Sequence, residues 1–221
     1  EKGQWGNFLP KTEEQAKGIE TKNCIAFATT SILEILLKRE FDIDINFSDR
    51  QLGINAGTTP SKGNSTKVVA DAVRKYGLIK EESLPFGTHK IALDYYKPKP
   101  LPEKLRQEGL RFLSRYSFRY ENVPANKIKE ALKFAPIGIS VVAWFKNKDG
   151  IYYRPKGIAE SHFVVCYGYD DKKGAWKIFD SYDNFLKLYS YSSNISVAKR
   201  FYIAKKKPQL WFIEIIKRLL W

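Results

Sequence analysis

Residues 24–40 read Cys24-Ile-Ala-Phe-Ala-Thr-Thr-Ser-Ile-Leu-Glu-Ile-Leu-Leu-Lys-Arg-Glu40, a run free of Gly and Pro. Apolar residues recur at Ile25, Ala28, Ile32, Ile35 and Leu36, the spacing of one helix face. The reading is a buried helix that opens at or beside Cys24, with Asn23 as its N-cap. Residues 1–23 are polar, carry Gly and Pro, and read as extended coil.

Downstream of the helix, residues 41–63 read as a loop with a short helical piece around Ser48-Asp-Arg-Gln-Leu52. Asn64-Ser-Thr-Lys-Val-Val-Ala-Asp-Ala-Val-Arg-Lys-Tyr76 predicts a second helix, ended by Gly77 as a left-handed cap. Residues 85–103 hold four of the ten prolines and read as a crossing linker. Further helical stretches are expected over 104–116 and 126–134. After Pro136 the texture changes. Gly138-Ile-Ser-Val-Val-Ala-Trp-Phe145, Ser161-His-Phe-Val-Val-Cys-Tyr-Gly168, Ala175-Trp-Lys-Ile-Phe179 and Arg200-Phe-Tyr-Ile-Ala204 are short, β-branched and aromatic, with turn signals between them. A helical first half and a stranded second half predict an α+β fold with two lobes and a cleft between them. The expected division is a helical lobe over about 15–125 and an antiparallel, barrel-like β lobe over about 126–207, followed by an apolar helix over 208–221.

With 43% hydrophobic and 14% aromatic residues, the 221-residue chain can bury a sizeable core. Its 38 Lys+Arg against 24 Asp+Glu give a net charge of +14, which favours acidic partners but specifies no chemistry. Neither Arg-aromatic interleaving nor zinc-ligand spacing is visible, so no specific nucleic-acid partner is expected. Only Cys24 and Cys166 are available for a disulfide. Two free thiols and no apolar leader lead to the expectation of an intracellular, reducing compartment. The chain starts at Glu1 and contains no Met, the reading of a processed or trimmed piece.

Cys24 carries the sharpest chemical signal. The thiolate is the reactive form of cysteine, and a helix N-terminus stabilises negative charge. The alternative is a small hydrophobe in the core. Of the two histidines, His89 lies in the Pro-rich linker and reads as a surface residue, while His162 opens a strand. A nucleophile and its base usually come from distant segments, which Cys24 and His162 satisfy. Asp180, at the end of the next strand, can reach the imidazole N–H that faces away from the thiol. Alternatively it begins the turn that Ser181, Asp183 and Asn184 continue.

Several stretches, in order, resemble papain-like cysteine peptidases. Gln15…Asn23-Cys24-Ile-Ala-Phe-Ala…Ile32-Leu-Glu34 is similar to the family's Gln…Cys-Trp-Ala-Phe segment, and Ser48-Asp-Arg-Gln51-Leu52 to its Ser-x-Gln-x-Leu. Gly63-Asn64…Tyr76-Gly77-Leu-Ile…Glu82…Leu84-Pro85-Phe86 resembles Gly-Gly…Tyr-Gly-Ile…Glu…Tyr-Pro-Tyr. Ala131-Leu132…Pro136-Ile-Gly-Ile-Ser-Val141, His162-Phe-Val-Val…Gly168-Tyr-Asp and Trp176-Lys-Ile-Phe-Asp-Ser-Tyr182 follow the family's later strands. The resemblance covers about residues 15–204, with no anchor in 87–125.

The resemblance implies a papain-like fold and a Cys24–His162 pair oriented by Asp180 in place of the usual Asn. It further implies an oxyanion hole from the Gln15 amide and the Cys24 N–H. Gly63 and Asn64 would bind an extended substrate backbone, and Tyr182 would replace the Trp that shields the His–acid contact. The implied partner is a peptide or protein substrate, and no cofactor or metal is implied. The chain departs from the pattern where the Gln15-to-Cys24 spacing is long, where Ile25 replaces Trp, where Asn64 replaces Gly, and where the disulfide cysteines are missing. The missing disulfide cysteines suit a divergent microbial or viral branch working in a reducing compartment. The expected activity is cysteine endopeptidase. The rivals are an amidase or isopeptidase acting on peptidoglycan or conjugates, and an inactive peptide-binding module. The tail Pro208-Gln-Leu-Trp-Phe-Ile-Glu-Ile-Ile-Lys-Arg-Leu-Leu-Trp221 reads either as a helix packed on the body or as one lying peripherally in a membrane interface.

Overall fold

The computed structural model describes residues 2–206, and the tail segment 208–221 lies outside them. The Cys24 stretch forms helix α1 (Cys24–Phe41), buried from Ala26 to Leu37 except at Ser31. Burial goes nearly all round, as in a core helix. It is wider than the single apolar stripe suggested, because helices cover one side of α1 and a sheet covers the other.

The second helix, α2 (Asp49–Ala56), is longer than the piece expected. Its start is fixed by Ser48, whose Oγ accepts the Gln51 N–H at 3.1 Å and donates to the Leu84 carbonyl at 2.5 Å. Helix α3 (Thr66–Tyr76) is capped by Ser65 and ends at Gly77. Gly77 adopts φ +69° and ψ −168°, outside the left-handed helical cap expected and in a region only glycine populates. A Cβ there would lie 2.0 Å from the Gly109 carbonyl oxygen. The Pro-rich stretch contains the single turn α4 (Ala92–Tyr95), followed by α5 (Glu103–Arg115) and later by α6 (Ile128–Ala131).

Among the described residues there are eight strands: β1 (Tyr116–Asn122), β2 (Ile137–Val141), β3 (Phe145–Lys146), β4 (Tyr152–Tyr153), β5 (His162–Asp170), β6 (Ala175–Phe179), β7 (Leu186–Ser190) and β8 (Ala198–Lys205). They form one sheet in the order β1-β8-β2-β5-β6-β7-β4-β3, antiparallel except for β4 beside β7. Its two edge strands do not pair with each other, so among the described residues the sheet is open and not the closed barrel its texture allowed. Strand β1 falls in the segment assigned to the helical lobe, between the stretches expected to be helical, and pairs along its length with β8 of the β lobe. The α+β class stands.

The main apolar core joins Ile32, Leu33 and Ile35 of α1 to Ile139 of β2, Val164 of β5 and Phe201 of β8. Packing α1 on this sheet brings the first residue of the helix next to the first residue of β5.

Candidate active site

Cys24 begins α1, whose first backbone bonds run from the Ala26 and Phe27 N–H groups to the Asn23 carbonyl. Asn23 occupies the N-cap position without capping: its Nδ2 donates to the Asp49 carbonyl at 2.8 Å and to the Tyr95 hydroxyl at 3.1 Å. It ties the helix start to α2 and α4. Among the described residues no side chain caps the first-turn N–H groups, so the positive end of the helix dipole stays available beside the thiol.

His162 opens β5 and is paired there with Val141 of β2. Its ring sits between Tyr182, 4.8 Å between centroids, and Trp144, 5.8 Å. The Nε2–H donates to Asp180 Oδ1 at 2.6 Å, which leaves the other ring nitrogen for Cys24. Burial alone would lower the imidazole pKa. The hydrogen bond to Asp180, then the hydrogen bonding and charge of Cys24, overcome this and push it up to about 9. Asp180 is 2% exposed. Burial would lift its pKa, yet the bond and charge of His162, followed by those of Lys187, hold it below the usual carboxylate range.

Gln15, Cys24, Gly63, Asn64, His162 and Tyr182 line one cleft of about 400 Å³, with Asp180 behind His162. Gly63 has φ +63°, and a Cβ there would lie 3.0 Å from the Lys22 carbonyl, so the loop needs glycine. The Asn64 side chain turns into its own loop, donating to the Ala56 carbonyl at 2.8 Å. Tyr182 covers the His162 ring, while its hydroxyl donates to Glu20 Oε2 at 2.5 Å. Gln15 is buried, and its amide donates to Glu20 Oε1 at 3.1 Å and to the Tyr182 hydroxyl at 2.9 Å. Its oxygen accepts the Ser181 hydroxyl at 2.7 Å.

Three residues escaped sequence reading: Glu20, which holds Gln15 and Tyr182; Trp144, which flanks the imidazole; and Lys187, whose Nζ reaches Asp180 Oδ2 at 2.7 Å. None of the three left a signal in the sequence: Lys187 alternates with Leu186 and Leu188 and reads as a solvent-facing step. Cys166 lies fully buried on β5 with its thiol pushed up to about 12 by burial, and the two cysteines are free. His89 contacts the Phe86 carbonyl at 2.6 Å, away from the cleft.

No protein-family model matches the chain, and no curated protein matches it either. Solved structures do. The chain is similar to digestive procathepsin L 3 of the Tenebrio molitor larval midgut, with a TM-score of 0.64 and 16% identity over 89% of this chain and 67% of that one. It is also similar to the proform of the Amb a 11 cysteine protease, a ragweed pollen allergen, with a TM-score of 0.64 and 15% identity over 91% of this chain. The chain spans 65% of the Amb a 11 proform. At these identities the likeness carries the papain-like fold alone.

Proposed function

We propose that the chain is a cysteine-type endopeptidase acting through a Cys24–His162–Asp180 triad on an extended peptide, in a two-lobed papain-like frame. The observation that carries this reading is the alignment of three groups. A cysteine at an uncapped helix start faces an imidazole whose far nitrogen bonds a buried carboxylate at 2.6 Å. With the imidazole raised to about 9, His162 stays protonated through neutral pH beside the Cys24 sulfur.

The thiolate sulfur attacks the scissile carbonyl carbon, and the C=O π electrons move onto oxygen. The Cys24 backbone N–H can donate to that oxyanion. The intermediate collapses, the C–N bond breaks, and the imidazolium gives its proton to the departing amine. A water then loses a proton to the neutral His162 and attacks the thioester, and collapse returns the thiolate and imidazolium. Gln15 could donate to the oxyanion only by exchanging a bond it makes to Glu20 or Tyr182. Gly63 and Asn64 would offer backbone to the substrate from the opposite wall, and Tyr182 would shield the His162–Asp180 contact.

That occupied Gln15 amide is the one observation favouring a peptide-binding module without turnover. The test is cleavage of a mixed peptide library, with cell-wall fragments in parallel, by the parent chain and by Cys24→Ala. Peptide cleavage lost in the variant supports the reading, whereas cleavage of cell-wall fragments alone moves it to the amidase. No cleavage, with Cys24 no more reactive than Cys166, leaves the binding module.

A further inference from the structure

Strand β7 reads Leu186-Lys-Leu-Tyr-Ser190, and its apolar alternation is inverted. Leu186 is 60% exposed while Lys187 is 5% exposed. A one-residue slip would exchange the two faces, and burying an ammonium is costly unless it is paired. The register nonetheless sets Lys187 opposite Ile178 and Leu186 opposite Phe179 of β6.

Inside, Lys187 is fully satisfied. Its Nζ donates to Asp180 Oδ2 at 2.7 Å, to the Asp183 carbonyl at 2.5 Å and to the Asn184 carbonyl at 2.8 Å, using all three ammonium protons. It also lies 5.1 Å from the ring centre of Trp144, the indole that flanks His162. Asp180 Oδ1 accepts from His162 at 2.6 Å and from the Ser181 N–H at 2.8 Å. A single buried carboxylate therefore joins the imidazole to an ammonium.

We infer that Lys187 is a positioning residue for the reaction centre, fixing the Asp180 carboxylate against His162 and cancelling its charge. The inference rests on the Cys24–His162 reading. Thiolate, imidazolium, carboxylate and ammonium sum to zero. Removing the ammonium would leave a negative charge that opposes the thiolate and retains protons, and removing the carboxylate would do the reverse. The other groups facing this cluster are Tyr182 from the turn after β6 and Trp144 from the loop after β2. Lys11 and Glu13 border the small cavity beside Asp180, and Glu20 stands behind Tyr182.

The test compares the parent with Lys187→Met, Asp180→Asn and the double variant. It measures the pH profiles of iodoacetamide labelling at Cys24 and of peptide-library turnover. In Lys187→Met both the rising and falling midpoints should move up by about half to one pH unit. In Asp180→Asn they should move down, and in the double variant they should return towards the parent. A loss of packing alone would lower rates without opposite displacements. If a single variant fails to fold, the double, which buries no unpaired charge, decides: a parent-like profile supports the inference, and a profile shifted as far as a single variant's, or no labelling, overturns it. Unmoved midpoints in a folded Lys187→Met overturn it too. Activity surviving in Cys24→Ala would instead remove the peptidase reading, whatever Lys187 does.

Discussion

At the scale of single residues, the acid of the site shows how far a sequence can be read. Asp180 stood out because it ends the strand after His162, and the family resemblance put an Asn in its place. From that alone, Asp180→Asn should be mild, since the amide oxygen can accept the same imidazole N–H. Lys187 changes this expectation. It lies seven positions on, at a step that looks like an ordinary solvent face until the register of β7 is known. Removing either partner leaves a buried, uncompensated charge, worth about 3–5 kcal/mol of stability. Urea denaturation should therefore find each single variant destabilised by about that amount and the double variant much closer to the parent. Equal losses that simply add would mean the two side chains do not act as a pair.

Elements were legible where hydrophobic period and punctuation agreed. The long α1 and the β2, β5, β6 and β8 strands met that condition. Strand β1 did not, because Tyr116-Ser-Phe-Arg-Tyr-Glu-Asn122 is a polar edge strand whose only fully buried residue is Phe118. Nor did β7, with its inward lysine. Gly77 was read correctly as a helix end, but for an incomplete reason. Its lack of a side chain serves the close crossing of the α3 end over α5, where a Cβ on Gly109 would in turn lie 2.1 Å from the Tyr76 carbonyl oxygen. Backbone cannot yield as a flexible side chain can. Gly109→Ala should destabilise the chain by about 2–3 kcal/mol or more, although alanine has the better helix propensity. A denaturation midpoint equal to the parent's would show that the crossing relaxes freely.

Across the whole molecule, the buried acids set a pH dependence that the +14 net charge does not reveal. Burial, then the nearby carboxylates of Glu13, Glu81 and Asp44 working against the Phe47 N–H, raise Glu34 to about 8. Burial, with the charge of Glu13, raises Glu81 to about 7 and Asp49 well above its ordinary value. His162 is raised as well, to about 9. For groups raised in the folded state, the stabilising contribution is complete below the unfolded value and is lost as pH climbs through the folded one. Asp180 is lowered and acts oppositely, but only at the acid end. Stability should therefore fall between about pH 5 and pH 8, by at most about 1.4 kcal/mol per pH unit for each proton involved. Glu34→Gln keeps an oxygen for the Phe47 N–H and removes one titration, so it should flatten the slope. The check is melting temperature against pH for both proteins, and parallel curves would assign the slope elsewhere.

In the proposed mechanism Cys24 carries the acyl group. During turnover of the mixed peptide library, rapid acid quenching and peptide mapping by mass spectrometry locate any thioester. An acyl fragment should appear on Cys24, be missing from His162→Ala under the same conditions, and never appear on Cys166, which is buried and held as a thiol. Peptide cleavage with the fragment on Cys166, or cleavage that persists in Cys24→Ala, would contradict it.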